Sequence, residues 1–432
     1  MSEPWLSNPW LTVIGIGEDG LHGLGDGSRS ALACAQHVFG GPRDLALADV
    51  GSRGIAWPVP FDVAPVLALR GQPVVVLASG DPFWYGAGGS LAAHLQPGEW
   101  VAHPAPSTFS LAAARLAWRL EAVHCFGLHA APFERTRSSL HPGAQMLCLL
   151  RDAAAVGEFA QWLTAQGYGD SNVWVLEALG GPRERIRQST ATALHTQTSP
   201  HPVRAEPVEA LQPAQDRLLR PAQGERAVDW TDIQTPVAVA VHVVGAPGLP
   251  RSPGLPDAGF ASDGQITKSP IRALTLAALA PRPGEHLWDL GAGSGSVSVE
   301  WCLAGGSSSA VEQHAERVSN IRSNAANFGI YHRLTVHHGH TSDLLASLPT
   351  PQAIFVGGGF DLALFAQLQA AAPQGTRLVV NAVTLETESA LLQLHAQHGG
   401  ELLRIELAQA APLGRMRGWQ PSRPVVQWSV TL

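Results

Sequence analysis

Short apolar runs alternate with helix-like stretches throughout the C-terminal half of the chain. The strand-like runs lie at 287–290, 309–311, 334–336, 353–356, 377–380, 402–405 and 425–428. Strands that alternate with helices in this way build a mostly parallel sheet with helices on both faces. We therefore predict an α/β domain with a seven-stranded sheet, in which ligands bind at the carboxyl ends of the strands.

The N-terminal half shows a similar but less regular alternation. Its apolar runs at 11–17, 73–78, 145–150, 172–176 and 237–244 predict strands. Between about 196 and 230 the prolines are too frequent for a continuous helix or a central strand, which predicts a mobile insertion. A stretch rich in Gly, Pro and Ser predicts a linker. The expected domains are 8–245 and 266–432, joined by a linker at 246–265.

Length and composition fit this two-domain interpretation. A chain of 432 residues exceeds one ordinary core, and 45% hydrophobic with 15% charged residues is typical of a globular protein. The net charge of −7 provides no field that attracts a polyanion, which argues against nucleic acid as a partner. No apolar run approaches a membrane span and no signal-peptide pattern opens the chain, so we expect a cytoplasmic protein without membrane contact.

Cysteine and histidine spacing argues against a metal site. The four cysteines lie far apart and form no CxxC pair, so neither a zinc site nor a disulfide framework is expected. Four histidines cluster at 332–340, but their spacing matches no standard zinc site. We therefore expect no bound metal.

The run 287–295 is the most informative motif, because a buried strand leads there into a glycine turn that opens a helix. Its pattern is Asp-x-Gly-x-Gly-x-Gly, formed by Asp289, Gly291, Gly293 and Gly295. Glycines let a ligand approach the backbone, and the helix N-terminus offers free amide donors. Ser296 replaces the third glycine of a dinucleotide fingerprint. The motif resembles the first motif of Rossmann-like methyltransferases that use S-adenosylmethionine (AdoMet).

An acidic residue follows at the end of the next predicted strand. Glu312 lies about one strand-helix-strand unit after the glycine motif. A carboxylate at this position can accept hydrogen bonds from both hydroxyls of a ribose. The motif and Glu312 together predict a nucleoside-containing cofactor.

A second glycine motif occupies 15–20 and fits the dinucleotide fingerprint Gly-x-Gly-x-x-Gly. It supports an alternative function, a dinucleotide-dependent oxidoreductase. Glu18 and Asp19 lie inside this loop, where two carboxylates would repel a pyrophosphate. The sequence therefore disfavours dinucleotide binding.

The N-terminal half also contains a set of motifs that occur together. They are the opening strand with its glycines, the Ser-Gly-Asp-Pro loop at 79–82, the segment at 106–116 and the Leu-Gly-Gly-Pro string at 179–182. This set resembles the tetrapyrrole methyltransferase family of cobalamin biosynthesis. The resemblance implies a two-lobed fold and AdoMet contacts from Gly15, Gly17, Ser79, Gly80, Asp81, Ser107 and Thr108. The residues alone leave an Asx-turn open for Asp81 and a helix cap open for Ser107 and Thr108.

The C-terminal half contains a second set of motifs. They are the segment 266–274, the Asp289 motif, the glycines at 357–359 and the Asn-Ala-Val-Thr-Leu-Glu string at 381–386. This set resembles the corrin-ring methyltransferase that also decarboxylates. The resemblance implies AdoMet contacts from Thr267, Asp289, Gly291, Gly293, Gly295, Glu312, Gly339, His340, Gly357 and Gly358.

The expected catalytic residues are Lys268, Arg272, Asn381 and Arg415. Lys268 is the only lysine in the chain, and it falls inside the Thr-Lys segment of the resembling family. Cations suit the peripheral carboxylates of a tetrapyrrole, and an arginine can bind a carboxylate through two hydrogen bonds. A surface charge or a structural ion pair stays open for each arginine. Arg415 lies in the glycine-flanked segment 413–419, which we expect to form a lid over the substrate.

Two such halves on one chain resemble the fused, decarboxylating C5,15-methyltransferases of cobalamin biosynthesis. The resemblance implies methylation of precorrin-6B at C5 and C15, with decarboxylation of a ring acetate, to give precorrin-8X. It assigns methylation at C5 to the N-terminal domain. It assigns methylation at C15, together with the decarboxylation, to the C-terminal domain. It also implies one AdoMet site per domain and a homo-oligomer. An AdoMet-binding sensor or scaffold without catalysis is the other open function.

Overall fold

The computed structural model describes residues 9–198, 230 and 232–432. They divide into two units: unit 1 comprises Met1–Ala131 and His141–Pro247, and unit 2 comprises Pro132–Leu140 and Gly248–Leu432. Most of the insertion expected at 196–230 lies outside the described residues, and 196–198 end a helix.

The first sheet of unit 1 is parallel throughout. It contains β1 (Leu11–Ile16), β2 (His37–Gly40), β3 (Gly54–Ala56), β4 (Val74–Ser79) and β5 (Trp100–His103), in the order β3-β2-β4-β1-β5. Its helices are α1 (Asp26–Cys34), α2 (Pro42–Leu47), α3 (Ala64–Leu67), α4 (Ala87–Ala92) and α5 (Thr108–Leu116). The apolar run in β4 is buried from Val74 to Ala78, as is typical of a parallel strand covered on both faces.

The second sheet of unit 1 is mixed. It contains β6 (His124–Gly127), β7 (Gln145–Leu149), β8 (Asn172–Glu177), β9 (Arg185–Thr190) and β10 (Val237–His242), in the order β6-β7-β10-β8-β9. Its helices are α6 (Ala154–Ala165) and α7 (Ala191–Thr198). The strand β10 is antiparallel to both β7 and β8 and is buried in the middle of the sheet. The two sheets confirm the expected two-lobed N-terminal fold.

Unit 2 contains the seven-stranded sheet, in the order β13-β12-β11-β14-β15-β19-β16. Its strands are β11 (His286–Leu290), β12 (Ser307–Glu312), β13 (Leu334–His338), β14 (Ala353–Val356), β15 (Arg377–Ala382), β16 (Glu401–Ile405) and β19 (Val425–Thr431). The strand β19 runs antiparallel between β15 and β16. The prediction of a mostly parallel seven-stranded sheet is therefore confirmed.

Helices cover both faces of this sheet. They are α8 (Ser269–Leu279), α9 (Ser296–Leu303), α10 (Ala315–Asn327), α11 (Thr341–Leu344), α12 (Leu362–Ala371) and α13 (Leu385–His398). Adjacent residues of β11 belong to different core clusters: Leu287 packs with Leu276 of α8, and Trp288 packs with Leu391 of α13. This follows from the alternation of side chains along a strand, which sends successive residues to opposite faces.

The segment expected as a linker contributes to the core of unit 2. Leu255 and Phe260 are buried in the same cluster as Leu276. The backbone amides of Gly254 and Leu255 donate to the Glu300 carboxylate at 2.7 and 2.9 Å. The Gly- and Pro-rich composition of this segment therefore reflects an irregular backbone that packs against α8 and α9.

The segment expected as a lid forms a hairpin. The strands β17 (Ala408–Leu413) and β18 (Met416–Pro421) pair with each other in a separate two-stranded sheet. Arg415 lies in the turn between them.

Among the helices of the described residues, none combines the length and apolarity needed to cross a membrane.

Candidate functional site

The glycine turn of unit 2 lies between the end of β11 and the start of α9. Gly291, Gly293 and Gly295 all have positive φ angles, of 68°, 59° and 71°. A side chain is strained in this conformation, so the turn requires glycines. A Cβ atom on Gly291 would lie 2.9 Å from the carbonyl oxygen of Gly358, and one on Gly295 would lie 2.8 Å from the Ile321 side chain. The motif therefore lets the loop at Gly358 and the helix α10 approach the turn closely.

Glu312 ends β12 beside this turn. Its Oε2 accepts a hydrogen bond from the Gly293 amide at 2.9 Å, and its Oε1 accepts one from the His314 amide at 3.0 Å. A carboxylate oxygen can accept more than one hydrogen bond. Glu312 is therefore oriented by the backbone and keeps acceptor capacity for ligand hydroxyls.

Asp289 lies beneath the turn and is fully buried. The hydroxyl and the amide of Ser298 donate to its Oδ2 at 2.6 and 3.2 Å. Burial raises the pKa of this carboxyl to about 6, while the hydrogen bonds from Ser298 oppose the rise and the nearby Glu312 charge adds to it. Asp289 therefore supports the turn from inside the domain.

A pocket of about 860 Å³ opens at the carboxyl ends of the parallel strands of unit 2. Ten of the predicted site residues line it: Thr267, Lys268, Gly291, Gly293, Glu312, Gly339, His340, Gly357, Gly358 and Asn381. These residues come from the ends of β12 and β15, from loops after other strands and from the segment before α8. The structure therefore gathers most of the predicted C-terminal site around one cavity.

Several residues that line the pocket belong to none of the sequence motifs. Ser422 and Arg423, just before β19, line the pocket, as do Arg317 and Asp361. The position of Arg423 follows from topology, because Val426 of the antiparallel β19 pairs with Ala382 at the carboxyl end of β15. The apolar run at 425–428 predicts a strand but not its direction, so the sequence alone did not place Arg423 at the pocket.

Arg272 does not reach the pocket. Its side chain is fully buried in α8, and its Nε donates to Glu300 Oε1 at 2.6 Å. Its Nη1 donates to Asp257 at 3.2 Å and to the Thr267 carbonyl, and its Nη2 donates to the Leu255 carbonyl. Protein acceptors thus hold the guanidinium group that we expected to bind a substrate carboxylate, and the structure corrects that expectation to a structural ion pair.

The two other predicted cations are accessible. Lys268 precedes α8, lines the pocket and lies 3.7 Å from Asp257 across an exposed ion pair. Arg415 is exposed in the hairpin turn and is not among the residues that line the pocket. Lys268 therefore stays a candidate for substrate contact, whereas Arg415 would need the hairpin to move.

Three predicted N-terminal site residues converge at the ends of β1, β4 and β5. A Cβ atom on Gly15 would lie 2.0 Å from the Gly80 carbonyl oxygen, and one on Gly80 would lie 3.0 Å from the Ser107 Cα. Ser107 caps α5, because its Oγ accepts a hydrogen bond from the Ser110 amide at 3.1 Å. Thr108 is the first residue of that helix.

The remaining predicted N-terminal residues have local partners. Asp81 accepts a hydrogen bond from the Phe83 amide at 2.8 Å, as in an Asx-turn. The Ser79 hydroxyl accepts from Arg43 at 2.6 Å and donates to Asp44 at 3.1 Å. A Cβ atom on Gly17 would lie 2.6 Å from the Asp19 carboxylate. AdoMet contacts at these residues stay predictions.

The loop that fits a dinucleotide fingerprint is not built like one. It continues into a short 3₁₀ turn, Gly20–Gly23, and α1 begins only at Asp26. Glu18 is buried and forms ion pairs with Arg43 at 2.9 Å and Arg183 at 3.0 Å. A pyrophosphate site needs amides of a helix N-terminus directly after the glycines, which this loop lacks.

Within the described part of the chain, no three His, Cys, Asp or Glu residues are grouped to hold a metal ion.

Two family models match separate parts of the chain. Residues 11–195 match the tetrapyrrole (corrin/porphyrin) methylases. Residues 258–432 match the precorrin methyltransferase domain. The two matches fall on the two halves that the sequence motifs distinguish.

Similar proteins cover the whole chain. A precorrin-6Y C(5,15)-methyltransferase (decarboxylating) of Sinorhizobium sp is 44% identical over 438 residues, which cover 100% of this chain and 98% of that protein. A protein of the same name from Mycobacterium tuberculosis (strain CDC 1551 / Oshkosh) is 37% identical, with 98% and 99% covered. The solved C-terminal domain of the Rhodobacter capsulatus precorrin-6Y C5,15-methyltransferase is 58% identical and covers 43% of this chain and 100% of its own, with a TM-score of 0.42.

Proposed function

The chain belongs to the family of decarboxylating precorrin-6Y C(5,15)-methyltransferases, and we propose that it methylates precorrin-6B at C5 and C15 and decarboxylates a ring acetate to give precorrin-8X. The observation that carries this proposal is the full-length match to the Sinorhizobium relative. The product would serve cobalamin biosynthesis, and the family uses AdoMet as methyl donor.

The residues of unit 2 fit AdoMet. The glycine turn would seat the donor close to the backbone, and Glu312, held by two amides, would accept hydrogen bonds from the ribose hydroxyls. When bound, AdoMet supplies an electrophilic methyl group on a positively charged sulfur. The pocket of about 860 Å³ lies near the upper end of the range for small-molecule sites, and part of the macrocycle would bind there beside AdoMet.

The chemistry of unit 2 depends mainly on positioning. A site that holds the reacting carbon in line with the methyl group, and that excludes water, supplies much of the acceleration without a strong base. Ile271 and Val425 belong to one apolar cluster and both line the pocket. They would form a dry wall against the flat face of the tetrapyrrole.

Cations at the pocket would orient the peripheral carboxylates of the substrate. Lys268 and Arg423 line the pocket from the start of α8 and from the segment before β19. Arg423 replaces Arg272 in this proposed role, because the Arg272 donors are held within the protein. Arg415 stays a further candidate if the hairpin closes over the substrate.

We assign C15 methylation and decarboxylation to unit 2 and C5 methylation to unit 1. This division requires a second AdoMet site in unit 1, for which we propose the convergence of Gly15, Gly80 and Ser107. We also keep as proposals the domain bounds 8–245 and 266–432, a homo-oligomer and a cytoplasmic location. The same holds for the absence of a nucleic-acid or membrane partner.

The deciding experiment uses the purified full-length chain, precorrin-6B and methyl-labelled AdoMet. The product is expected to carry two added methyl groups and to have lost one carbon dioxide, as measured by mass spectrometry. Binding of AdoMet without any mass change of the tetrapyrrole would contradict the proposal and favour a sensor. Thermal stabilisation by NADH but not by AdoMet would instead favour the oxidoreductase.

A further inference from the structure

Asn381 forms a polar trio with Thr275 and Gln427, and it is the member that lines the pocket of unit 2. It lies near the end of β15, and its Nδ2 donates to Thr275 Oγ1 of α8 at 2.9 Å. Its Oδ1 accepts from Gln427 Nε2 of β19 at 2.9 Å, and the same Nε2 donates to Thr275 Oγ1 at 3.1 Å. The three side chains therefore contact one another behind the pocket wall.

The Thr275 hydroxyl determines which way both amides point. Its only proton is donated to the Ile271 carbonyl one helical turn earlier, at 2.9 Å. Towards the two amides the hydroxyl oxygen can then act only as an acceptor. Each amide must turn its NH₂ group towards Thr275, so the Asn381 oxygen is left to accept from Gln427.

Counting protons leaves one donor over. Gln427 uses one amide hydrogen on Thr275 and the other on Asn381, and Thr275 uses its proton on Ile271. Asn381 uses one of its two amide hydrogens on Thr275. Its second N–H is the one donor of the trio that the trio does not use, and Asn381 is the member that lines the pocket.

We propose that Thr275 and Gln427 are positioning residues that fix this N–H of Asn381 to bind the acetate carboxylate that leaves as carbon dioxide. The inference rests on the proposed function and names one substrate contact of the same site. Thr275 and Gln427 are buried, with 0% and 4% of their surfaces exposed, so they act only through Asn381.

A neutral donor suits a carboxylate that must lose its charge. In the decarboxylation, the bond between the acetate methylene and the carboxyl carbon breaks, carbon dioxide leaves, and the electron pair passes into the conjugated ring. A proton from water completes the methyl group that remains. A cation would stabilise the starting carboxylate more than the transition state, whereas an amide orients it with less ground-state stabilisation. Lys268 and Arg423 are then free for the carboxylates that the product keeps.

The test compares Thr275→Val, Thr275→Ser and Thr376→Val in the full chain. Valine at 275 removes the hydroxyl acceptor that orients Asn381, whereas serine keeps it. Thr376 is the control: it is a buried threonine outside the trio, and its hydroxyl donates to the Pro373 carbonyl. We expect Thr275→Val to slow carbon dioxide release from precorrin-6B by about ten-fold or more, with the AdoMet dissociation constant changed less than about two-fold. Thr275→Ser and Thr376→Val should retain the rate.

Release of carbon dioxide by Thr275→Val at the rate of the unchanged chain would overturn the inference, as would a parallel loss of AdoMet affinity. If Thr275→Val does not fold, Asn381→Ala, at a partly exposed position, tests the carboxylate contact itself by the same two measurements. If the unchanged chain makes no product from precorrin-6B, the proposed function fails. An active unchanged chain with an equally active Thr275→Val overturns only the role of the trio.

Discussion

Glu312 Oε2 lies 2.9 Å from the Gly293 amide nitrogen and accepts its hydrogen bond. Because Glu312 is the last residue of β12, this bond joins the glycine turn after β11 to the end of β12. The other oxygen of Glu312 accepts a hydrogen bond from the His314 amide. The backbone thus fixes the carboxylate before any ligand arrives, and a preorganised acceptor loses less entropy on binding.

Replacing Glu312 by Gln should weaken AdoMet binding by about ten- to hundred-fold. The amide keeps one acceptor, but its NH₂ group must face one of two backbone N–H donors, so one bond to the turn and one to the ribose are lost at about 1 kcal/mol each. Isothermal titration calorimetry on the full chain measures the effect. Glu316→Gln, an exposed change in α10, is the matched control. Equal affinities for both variants would contradict the assignment of Glu312.

Replacing Arg272 by Met should destabilise the fold. The change leaves Glu300 buried without its cation, which costs about 3–5 kcal/mol in similar buried pairs. Thermal unfolding measures the effect, and the melting temperature should fall by several degrees. Arg282→Met removes a more exposed ion pair to Glu285 and should cost under about 1 kcal/mol. A stable Arg272→Met variant with lost activity would restore Arg272 as a substrate contact.

Asp289 should make the fold less stable as the pH rises from about 4 to 6. Its pKa is about 6 in the folded chain against an ordinary 3.8, so the folded state holds the proton more tightly. Raising the pH through this window removes that advantage, at about 1.4 kcal/mol for each pKa unit, or about 3 kcal/mol in all.

The variant Asp289→Asn isolates this effect because it cannot titrate. Its melting temperature relative to the unchanged chain should rise from pH 4 to 6 and then level off. The test uses only the change of this difference with pH and not its absolute size. The NH₂ group of the variant would take the place of Oδ1, which has no hydrogen-bond partner, and this alters the stability of the variant at every pH. A pH-independent difference between the two proteins would show that Asp289 ionises normally.

Replacing Gly15 by Ala should abolish C5 methylation and leave carbon dioxide release in place. The added Cβ would lie 2.0 Å from the Gly80 carbonyl and 2.4 Å from the Ala105 amide, and backbone atoms on both sides cannot yield cheaply. Mass spectrometry of the product would show one methyl group fewer. Gly89→Ala in α4 meets nothing within 4 Å and should be neutral. Loss of both activities in Gly15→Ala would argue against one activity per unit.

Much of the fold was predictable because local patterns reflect it directly. The apolar runs marked all seven strands of the unit 2 sheet, and the glycine spacing marked the turn, whose positive φ angles only glycine adopts without strain. Edge strands with few apolar residues, such as β3 and β9, were not predicted, because partly exposed strands leave little hydrophobic periodicity. The hairpin β17–β18 was missed for the same reason.

By itself, the sequence determined the two α/β halves, the glycine turn after Asp289 and the acidic residue that bonds to it. These features depend on neighbours a few residues apart, or on one strand-helix-strand unit. Only the tertiary structure decided that Arg272 is bound by Glu300, that Arg423 reaches the pocket, and that Thr275 meets Gln427 across 152 positions of the chain. The reason is physical: a periodic pattern records which face of an element is buried, whereas the partner of a buried polar group depends on elements that meet only after folding.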